Sequence, residues 1–273
     1  MSEYLKAIIF GIVEGITEWL PVSSTGHMIL LDEFIKLDVS ENFREVFLVL
    51  IQLGAILAVI IMFWKKIFPF RFKEGKENII EHDSFSMWFK VIVAVIPSAV
   101  IGVLFDDFFE EKFYNYQTVS IALIVFGIFF IVIENWNKKK MPIVNSIGEL
   151  SYKTAVMIGL FQVIAAVFPG VSRSGATILG ALLVGVSRTI AAEFTFFLAI
   201  PTMFGASLLK LVKLGVDFTT KEYAVLFFGL FSAFLVSLLS IQFLMNYVKK
   251  HDFKVFGWYR IVLGCVVMVY FIC

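Results

Sequence analysis

A short segment near the start of the chain, residues 14–27, carries two carboxylates, four hydroxyl groups and an imidazole. Glu14 and Glu18 are four residues apart, so a helix would place both carboxylates on one face. Two like charges in apolar surroundings repel each other, and each is costly to bury. Such a pair could hold a hard divalent cation such as Mg²⁺ or Ca²⁺ through its oxygens, or serve proton transfer.

Pro21 ends the helical pattern, because proline lacks an N–H and clashes with the preceding turn. The polar residues after it suit a turn and a helix N-terminus, where backbone N–H groups attract anions. Ser24 is a candidate nucleophile, and His27, one helical turn further on, is a candidate base or acid. Ser23 and Thr25 are candidate phosphate ligands, although a helix cap alone would also explain a single hydroxyl here.

A second segment, residues 169–177, combines a break with a cation. Arg173 is, by the sequence, the one arginine well inside an apolar region. Its guanidinium keeps its charge, requires an anionic partner and can bind phosphate bidentately. A structural ion pair with a glutamate is the alternative explanation. Three hydroxyl groups beside it could donate to the same oxyanion; they belong to Ser172, Ser174 and Thr177.

The composition places both segments in a membrane. The 273 residues are 60% hydrophobic and 16% charged, against about 45–50% and 25% in soluble domains, and the mean hydropathy is +0.91. We predict an all-α polytopic membrane protein, since a spanning helix needs about 20 apolar residues. Six full-length spans are expected at about 44–64, 87–105, 117–135, 190–211, 222–247 and 255–272.

Residues 4–34 and 154–187 each contain two apolar pieces that are short for a full span and that are split at a proline. We predict that each region forms a re-entrant helical hairpin, buried in protein or lining a wet cavity. A shift of 148 residues relates the two regions, with chance similarity as the alternative. It aligns Gly11 with Gly159, Pro21 with Pro169, Ser24 with Ser172, and Glu45 with Glu193.

The repeat predicts one membrane domain, residues 1–273, with repeat 1 at about 1–135 and repeat 2 at about 150–273. Lysine and arginine concentrate in short connections such as 65–86 and 136–153, which predicts that these face the cytoplasm. Three full spans then separate the hairpins, so the hairpins enter from opposite sides. Such inverted-topology repeats place their site where the broken elements meet, near the middle of the membrane.

Other classes of partner are not expected from the sequence. The net charge of +1 gives no footprint for nucleic acid. Cys265 and Cys273 both belong to the last apolar segment, so a disulfide framework or a zinc site is not expected. No organic cofactor is expected either.

Three motifs resemble those of one known family. Glu14-x-x-x-Glu18, Pro21-Val-Ser-Ser-Thr-Gly-His27 and Pro169-Gly-Val-Ser-Arg-Ser-Gly-Ala-Thr177 are similar to the signature motifs of the bacterial undecaprenyl-diphosphatases, the bacitracin-resistance protein family. The resemblance implies a hydrolase of the bacterial plasma membrane. Its substrate would be the prenyl diphosphate lipid undecaprenyl diphosphate, and its product undecaprenyl phosphate, the carrier for peptidoglycan synthesis. The resemblance also implies the inverted-repeat fold, an active site that opens to the outer face, help from a divalent cation and a possible homodimer.

The resemblance further implies roles for single residues. It assigns the family's glutamate pair to Glu14 and Glu18, its nucleophilic serine to Ser24, its histidine to His27 and its phosphate-binding arginine to Arg173. Direct attack by a water activated by Glu18 or His27 stays open as an alternative to attack by serine. The rival class is transport, because broken helices and buried charges in an inverted repeat are typical of secondary transporters and would suit a flippase for an anionic lipid.

Overall fold

The fold comes from a computed structural model that describes residues 1–70 and 82–272, without the side chains of His82, Asp106 and Glu110. The described part contains eleven helices: α1 (Glu3–Thr17), α2 (Ser24–Phe34), α3 (Glu41–Met62), α4 (Trp64–Ile67), α5 (His82–Phe113), α6 (Tyr116–Asn137), α7 (Tyr152–Val167), α8 (Arg173–Leu183), α9 (Arg188–Leu214), α10 (Thr220–Tyr247) and α11 (Lys254–Ile272). Cys273 lies outside the described residues, and Cys265 is an exposed free thiol.

Six of the described helices are long and apolar enough to cross a membrane, judged by length and composition: α3, α5, α6, α9, α10 and α11. They coincide with the six predicted spans, so the prediction of an all-α polytopic membrane protein is confirmed. Their outer faces are apolar, as lipid requires. On α10, for example, large side chains recur every four residues on one exposed stripe, formed by Phe227, Phe231, Leu235, Leu239 and Phe243.

The helix pairs α1/α2 and α7/α8 are the regions predicted as re-entrant hairpins. Their helices have 11 to 16 residues, or about 16–24 Å at 1.5 Å per residue, which is short of a 30 Å hydrocarbon core. In each pair, the start of the first helix and the end of the second lie at the same end of the molecule. Beyond α2, the Asp38 N–H donates to the Glu3 carboxylate (2.8 Å). Before α7, the Ile143 N–H donates to the Gly185 carbonyl, which follows α8 (2.7 Å). Their placement in a bilayer stays a prediction.

Helices α3 and α9 run antiparallel and are joined by an ion pair near each end. Glu45 at the start of α3 pairs with Lys210 near the end of α9 (2.9 Å), and Lys66 beyond α3 pairs with Glu193 near the start of α9 (2.8 Å). We call these the Ser40 end and the Arg188 end of the molecule. The α1/α2 pair opens to the Ser40 end, and the α7/α8 pair opens to the Arg188 end.

Each short helix pair packs against a span from the other half of the sequence. Helix α1 lies along α10, and α7 lies along α5. Glycine allows both approaches, because a Cβ on Gly11 would collide with the Gly229 carbonyl and a Cβ on Gly159 with the Ala94 carbonyl. Packing of each short pair on the other half of the sequence is consistent with two interlocked halves. The division into repeats at 1–135 and 150–273 stays a prediction.

The N-caps of α2 and α8 share an unusual backbone conformation. Ser23 has a φ of 73° and Ser172 a φ of 70°, and each hydroxyl accepts a bond from the backbone N–H three residues further on. These serines are 149 residues apart, not 148, because the second repeat has one more residue than the first between its proline and its cap (Pro169 to Ser172 against Pro21 to Ser23). The predicted match of Ser24 with Ser172 is therefore wrong, and Ser24 corresponds to Arg173.

The basic residues predicted to face the cytoplasm gather at the Arg188 end wherever the structure describes their contacts. Lys66 pairs with Glu193, Arg188 with Glu134 (2.5 Å), and Lys254 donates to Asn135 (3.3 Å). Three further basic residues of the prediction lie outside the described residues: Arg71, Lys73 and Lys76. Which end faces the cytoplasm stays a prediction.

Candidate active site

The breaks of the two short helix pairs meet inside the molecule. Glu18 caps the C-terminus of α1, and Arg173 is the first residue of α8. Arg173 Nη2 donates to Glu18 Oε1 (3.0 Å), and the Ser174 hydroxyl donates to the Glu18 backbone carbonyl (3.0 Å). The segments 14–27 and 169–177 thus come together, as the repeat led us to expect.

The Glu18 carboxylate also reaches the candidate nucleophile. Ser24, the first residue of α2, donates from Oγ to Glu18 Oε2 (2.9 Å). Glu18 is 7% exposed and the Arg173 side chain 12%, so little water competes for these charge-assisted bonds. One carboxylate therefore joins the hydroxyl that could attack phosphorus to the cation that could bind phosphate. It is also a carboxylate within hydrogen-bond reach of Ser24 that could accept the hydroxyl proton.

Buried polar atoms without a partner surround this ion pair. Arg173 has five N–H groups; one of those on Nη2 is used on Glu18, one on Nη1 is used on the Thr195 carbonyl (2.9 Å), and Nε has no partner. Glu14 Oε1 and Trp19 Nε1 are buried without a partner as well. Native proteins rarely leave such atoms unsatisfied. Their grouping beside a guanidinium leaves bonding capacity that the oxygens of a ligand, water or a cation could use.

The starts of α2 and α8 add positive electrostatic potential to the same place, because the free N–H groups of a helix N-terminus attract anions. Among the described residues, Ser23 and Ser172 are the non-glycine residues with positive φ. Such a conformation costs on the order of 1–3 kcal/mol per residue and tends to occur at functional sites. Both hydroxyls act as caps here, so the predicted role of these serines as phosphate ligands stays a prediction.

A cavity of about 280 Å³ extends from the two breaks toward the Ser40 end. Thr25 of α2 and Pro169 of the second break line its inner part, and Tyr114 and Lys210 line its outer part. Its volume is at the lower limit of typical small-ligand sites.

Comparison with known proteins assigns this chain to a family. The model of the family described as bacitracin resistance protein BacA matches residues 7–266. The chain belongs to the BacA family. It is 64% identical over 270 residues to undecaprenyl-diphosphatase 1 of Clostridium acetobutylicum, with 99% of this chain and 98% of the relative covered. It is 63% identical to an undecaprenyl-diphosphatase of Desulfitobacterium hafniense (99% and 97% covered) and 61% identical to one of Enterococcus faecalis (98% and 96% covered).

Two of the hydroxyls predicted to bind phosphate have other partners in this BacA structure. Ser174 is fully buried and donates to the Glu18 carbonyl. Thr177 is fully buried too, and its hydroxyl contacts the Arg173 carbonyl (2.9 Å) and the Thr195 hydroxyl (2.8 Å). These bonds fix the first turn of α8 and so hold the Arg173 backbone. Direct binding of phosphate by either residue stays a prediction.

The imidazole of His27 points away from Ser24 in this BacA chain. Its Nδ1 contacts the Ser23 carbonyl (2.7 Å), and its Nε2 contacts the Tyr259 hydroxyl (2.6 Å). The two rings also stack, with centroids 5.6 Å apart and planes 8° apart. Sequence spacing correctly puts His27 one turn after Ser24, but the ring is turned toward α11. A catalytic role for His27 stays a prediction.

Sequence reasoning missed Arg260, which is fully buried in α11. The expectation that Arg173 is the one arginine well inside an apolar region is therefore wrong. The Arg260 guanidinium donates to main-chain carbonyls of both breaks. Its place inside the predicted span 255–272 was a usable signal, because an arginine within an apolar span needs a partner.

The glutamate pair can be tested for its fit to a divalent cation. The described residues contain no group of three or more His, Cys, Asp or Glu that could hold a metal. Arg173 and Ser24 occupy both oxygens of Glu18, whereas Glu14 Oε1 is free. This donor set fits a cation held by one carboxylate oxygen and mainly by substrate phosphates, which is how Mg²⁺ is often bound.

Proposed function

We propose that this BacA-family chain hydrolyses undecaprenyl diphosphate to undecaprenyl phosphate and inorganic phosphate, and so recycles the lipid carrier for peptidoglycan synthesis. The observation that carries the proposal is the single carboxylate of Glu18, which contacts both Ser24 and Arg173. The names of relatives at 61–64% identity over nearly the whole chain support it. So does the multi-pass membrane fold, because the substrate is a lipid.

Arg173 is the proposed anchor of the terminal phosphoryl group. Its unused N–H groups and the backbone N–H groups at the starts of α2 and α8 would neutralise the charge of the phosphoryl oxygens. Catalysis of phosphoryl transfer is mostly positioning and charge stabilisation, so the site needs few reactive groups. A divalent cation, Mg²⁺ or Ca²⁺, held by Glu14 and the two phosphates would neutralise further charge.

Ser24 is the proposed nucleophile. Its Oγ attacks the terminal phosphorus, its proton passes to Glu18 Oε2, and the bond from that phosphorus to the bridging oxygen breaks as undecaprenyl phosphate leaves. A water then attacks the phosphoserine, one of its protons neutralises the departing Ser24 oxygen and the other leaves on inorganic phosphate, and Glu18 returns its proton to solvent. In the alternative route, water attacks the diphosphate directly with Glu18 as base, and Ser24 only orients the reactants. Both routes use Glu18 as the proton acceptor.

The proposed site opens toward the outer face of the plasma membrane. The cavity beside the two breaks extends to the Ser40 end, whereas the basic connections predicted to be cytoplasmic lie at the Arg188 end. The substrate headgroup would enter from that side, with the prenyl chain among the lipid-facing helices. A homodimer is part of the proposal on the strength of the family resemblance.

A flippase is the alternative function, and it would need charged groups to hold an anionic lipid but no nucleophile beside a base. The contact between Ser24 and Glu18 therefore supports hydrolysis. The two functions give different products, because transport alone releases no phosphate.

Phosphate release by purified protein tests the proposal. Wild-type protein in detergent receives a C55 or C15 prenyl diphosphate with a divalent cation, beside Arg173→Ala and the matched control Arg188→Ala, whose arginine pairs with Glu134 at the Arg188 end. We expect release from the wild type and from the control, and a loss of at least about 100-fold in Arg173→Ala. No release from folded wild type would overturn hydrolysis and favour transport. Normal turnover in Arg173→Ala would remove Arg173 from the site.

A further inference from the structure

The guanidinium of Arg260 lies between the two breaks and has no acidic partner within 4 Å among the residues that the structure describes. It is fully buried, and its carbon lies 5.9 Å from the centre of the Phe126 ring. An arginine in a protein interior keeps its charge, and burial of an unpaired charge is costly. An apolar side chain could fill this space without the free-energy cost of a buried charge. The presence of arginine here therefore indicates a role for its charge or its hydrogen bonds.

Main-chain carbonyls of both breaks accept the bonds of Arg260. Nη1 donates to the Pro21 carbonyl of the first break (3.3 Å), and Nη2 donates to the Gly170 (2.9 Å) and Val171 (2.7 Å) carbonyls of the second. These carbonyls lie one or two residues before the N-caps of α2 and α8. One side chain therefore bridges the two helix starts, whose first residues are Ser24 and Arg173.

The surroundings of Arg260 fit a guanidinium rather than any cation. A Cβ on Gly175, in the first turn of α8, would lie 2.8 Å from Arg260 Nη1, so glycine makes room for the planar group there. The guanidinium presents its donors in a fixed fork, which can reach two separate segments at once, whereas a lysine is a single point donor. Its Nη groups are directed at backbone carbonyls, which argues against direct binding of phosphate.

We propose that Arg260 is a positioning residue for phosphate release. It holds the two breaks at the distance at which Ser24, Glu18 and Arg173 are aligned, and its charge adds to the positive ends of α2 and α8. This inference rests on the proposed hydrolysis. It assigns the alignment of the two breaks to one residue of α11, a helix that belongs to neither of the two short helix pairs.

Steady-state kinetics of three purified variants, Arg260→Gln, Arg260→Lys and the control Arg188→Gln, test this role with C15 prenyl diphosphate. Rates are expressed per molecule of folded protein after size-exclusion chromatography. A shift of the order of 1 Å in a reacting group can cost about 100-fold, so we expect kcat to fall about 10–100-fold in Arg260→Gln. KM should change by less than about threefold, because the Arg173 contacts to phosphate remain. Arg260→Lys should recover part of kcat, and Arg188→Gln should match the wild type.

Three results would overturn the inference. A wild-type kcat per folded Arg260→Gln molecule, with only a lower folded yield, would show a purely structural role. A KM raised at least about tenfold at unchanged kcat would show that Arg260 binds the substrate directly. If Arg260→Gln does not fold, a wild-type kcat in folded Arg260→Lys would likewise overturn the inference, because the guanidinium fork would then not be needed for alignment. Wild-type protein without phosphate release would instead overturn the proposed function itself, which keeps the two failures distinct.

Discussion

Replacement of Glu18 by glutamine removes one charge from the site while leaving its shape nearly unchanged. The amide oxygen can still accept the bond from Arg173, and the amide nitrogen would face the Ser24 hydroxyl. Removal of one partner of a buried ion pair costs up to about 3–5 kcal/mol. At about 2–4 °C per kcal/mol for a chain of this size class, the midpoint of thermal unfolding should fall by no more than about 20 °C.

The loss of activity is a separate effect, because Glu18→Gln protein that is still fully folded lacks the proton acceptor. An amide cannot accept the proton of Ser24, and general-base catalysis is worth about 10²–10⁴-fold in rate. That range corresponds to about 2.7–5.4 kcal/mol of transition-state stabilisation. We therefore expect the kcat of Glu18→Gln to fall at least about 100-fold in protein that is fully folded.

A double-mutant cycle with Ser24→Ala separates the two routes of attack. If Ser24 passes its proton to Glu18, the two residues act as one unit, and the double variant should be no slower than the slower single variant. If Glu18 activates water directly, Ser24→Ala should cost little, and the separate losses should multiply in the double variant.

The assay is the initial rate of phosphate release at saturating C15 prenyl diphosphate, with thermal unfolding measured on the same samples. Glu193→Gln is the matched control, because Glu193 is also buried and paired with a lysine, Lys66, but lies at the Arg188 end. Its kcat should stay at the wild-type value. A folded Glu18→Gln variant with a kcat within about threefold of the wild type would refute the assignment of Glu18 as the base.

Four further changes have defined outcomes. Glu14→Gln should raise the concentration of divalent cation needed for half-maximal rate, as measured after chelation and titration; an unchanged requirement would place the cation on the phosphates alone. Tyr259→Phe keeps the stacked ring but loses the bond to the histidine Nε2, so the pH profile of kcat should change if the imidazole takes part in proton transfer, and an unchanged profile would argue against that role. Ser172→Gly should have a free energy of unfolding about 1–2 kcal/mol higher than that of Ser172→Ala, and so a higher unfolding temperature, since glycine accepts a positive φ; equal midpoints would show that this backbone is unstrained. In intact cells an impermeant thiol reagent should label a single cysteine at Ser40 but not one at Lys140, which should react only after the membrane is permeabilised; labelling of both positions in intact cells would refute the inverted arrangement.

The six spans and the two breaks could be predicted from the sequence, because hydropathy and proline act locally. The meeting of the two breaks followed from the odd number of spans between them. The position of the imidazole could not be predicted, since it depends on Tyr259, which is 232 residues away along the chain. Arg260 was missed for a similar reason. Its partners are carbonyls 89 to 239 residues away, and a sequence does not show where backbone carbonyls converge.

The alignment of the two repeats changes by one residue at the breaks, and the sequence alone did not show this change. A shift of 148 relates Gly11 to Gly159, and both glycines allow close helix packing. Only the matching backbone of Ser23 and Ser172 reveals that the shift is 149 at the starts of α2 and α8. One additional residue in an irregular segment leaves the hydropathy pattern unchanged, so the sequence alone did not reveal it.

The correspondence of Ser24 with Arg173 bears on how such a site can be inherited. An assembly of two identical halves would carry two serines or two arginines at this position, and so would lack either the cation or the hydroxyl. Divergence at one equivalent position makes the two pseudo-symmetric halves functionally different. One half supplies the reacting hydroxyl, and the other supplies the cation that would bind phosphate. Neither half can conserve the site by itself, and selection must act on the two halves as a matched pair.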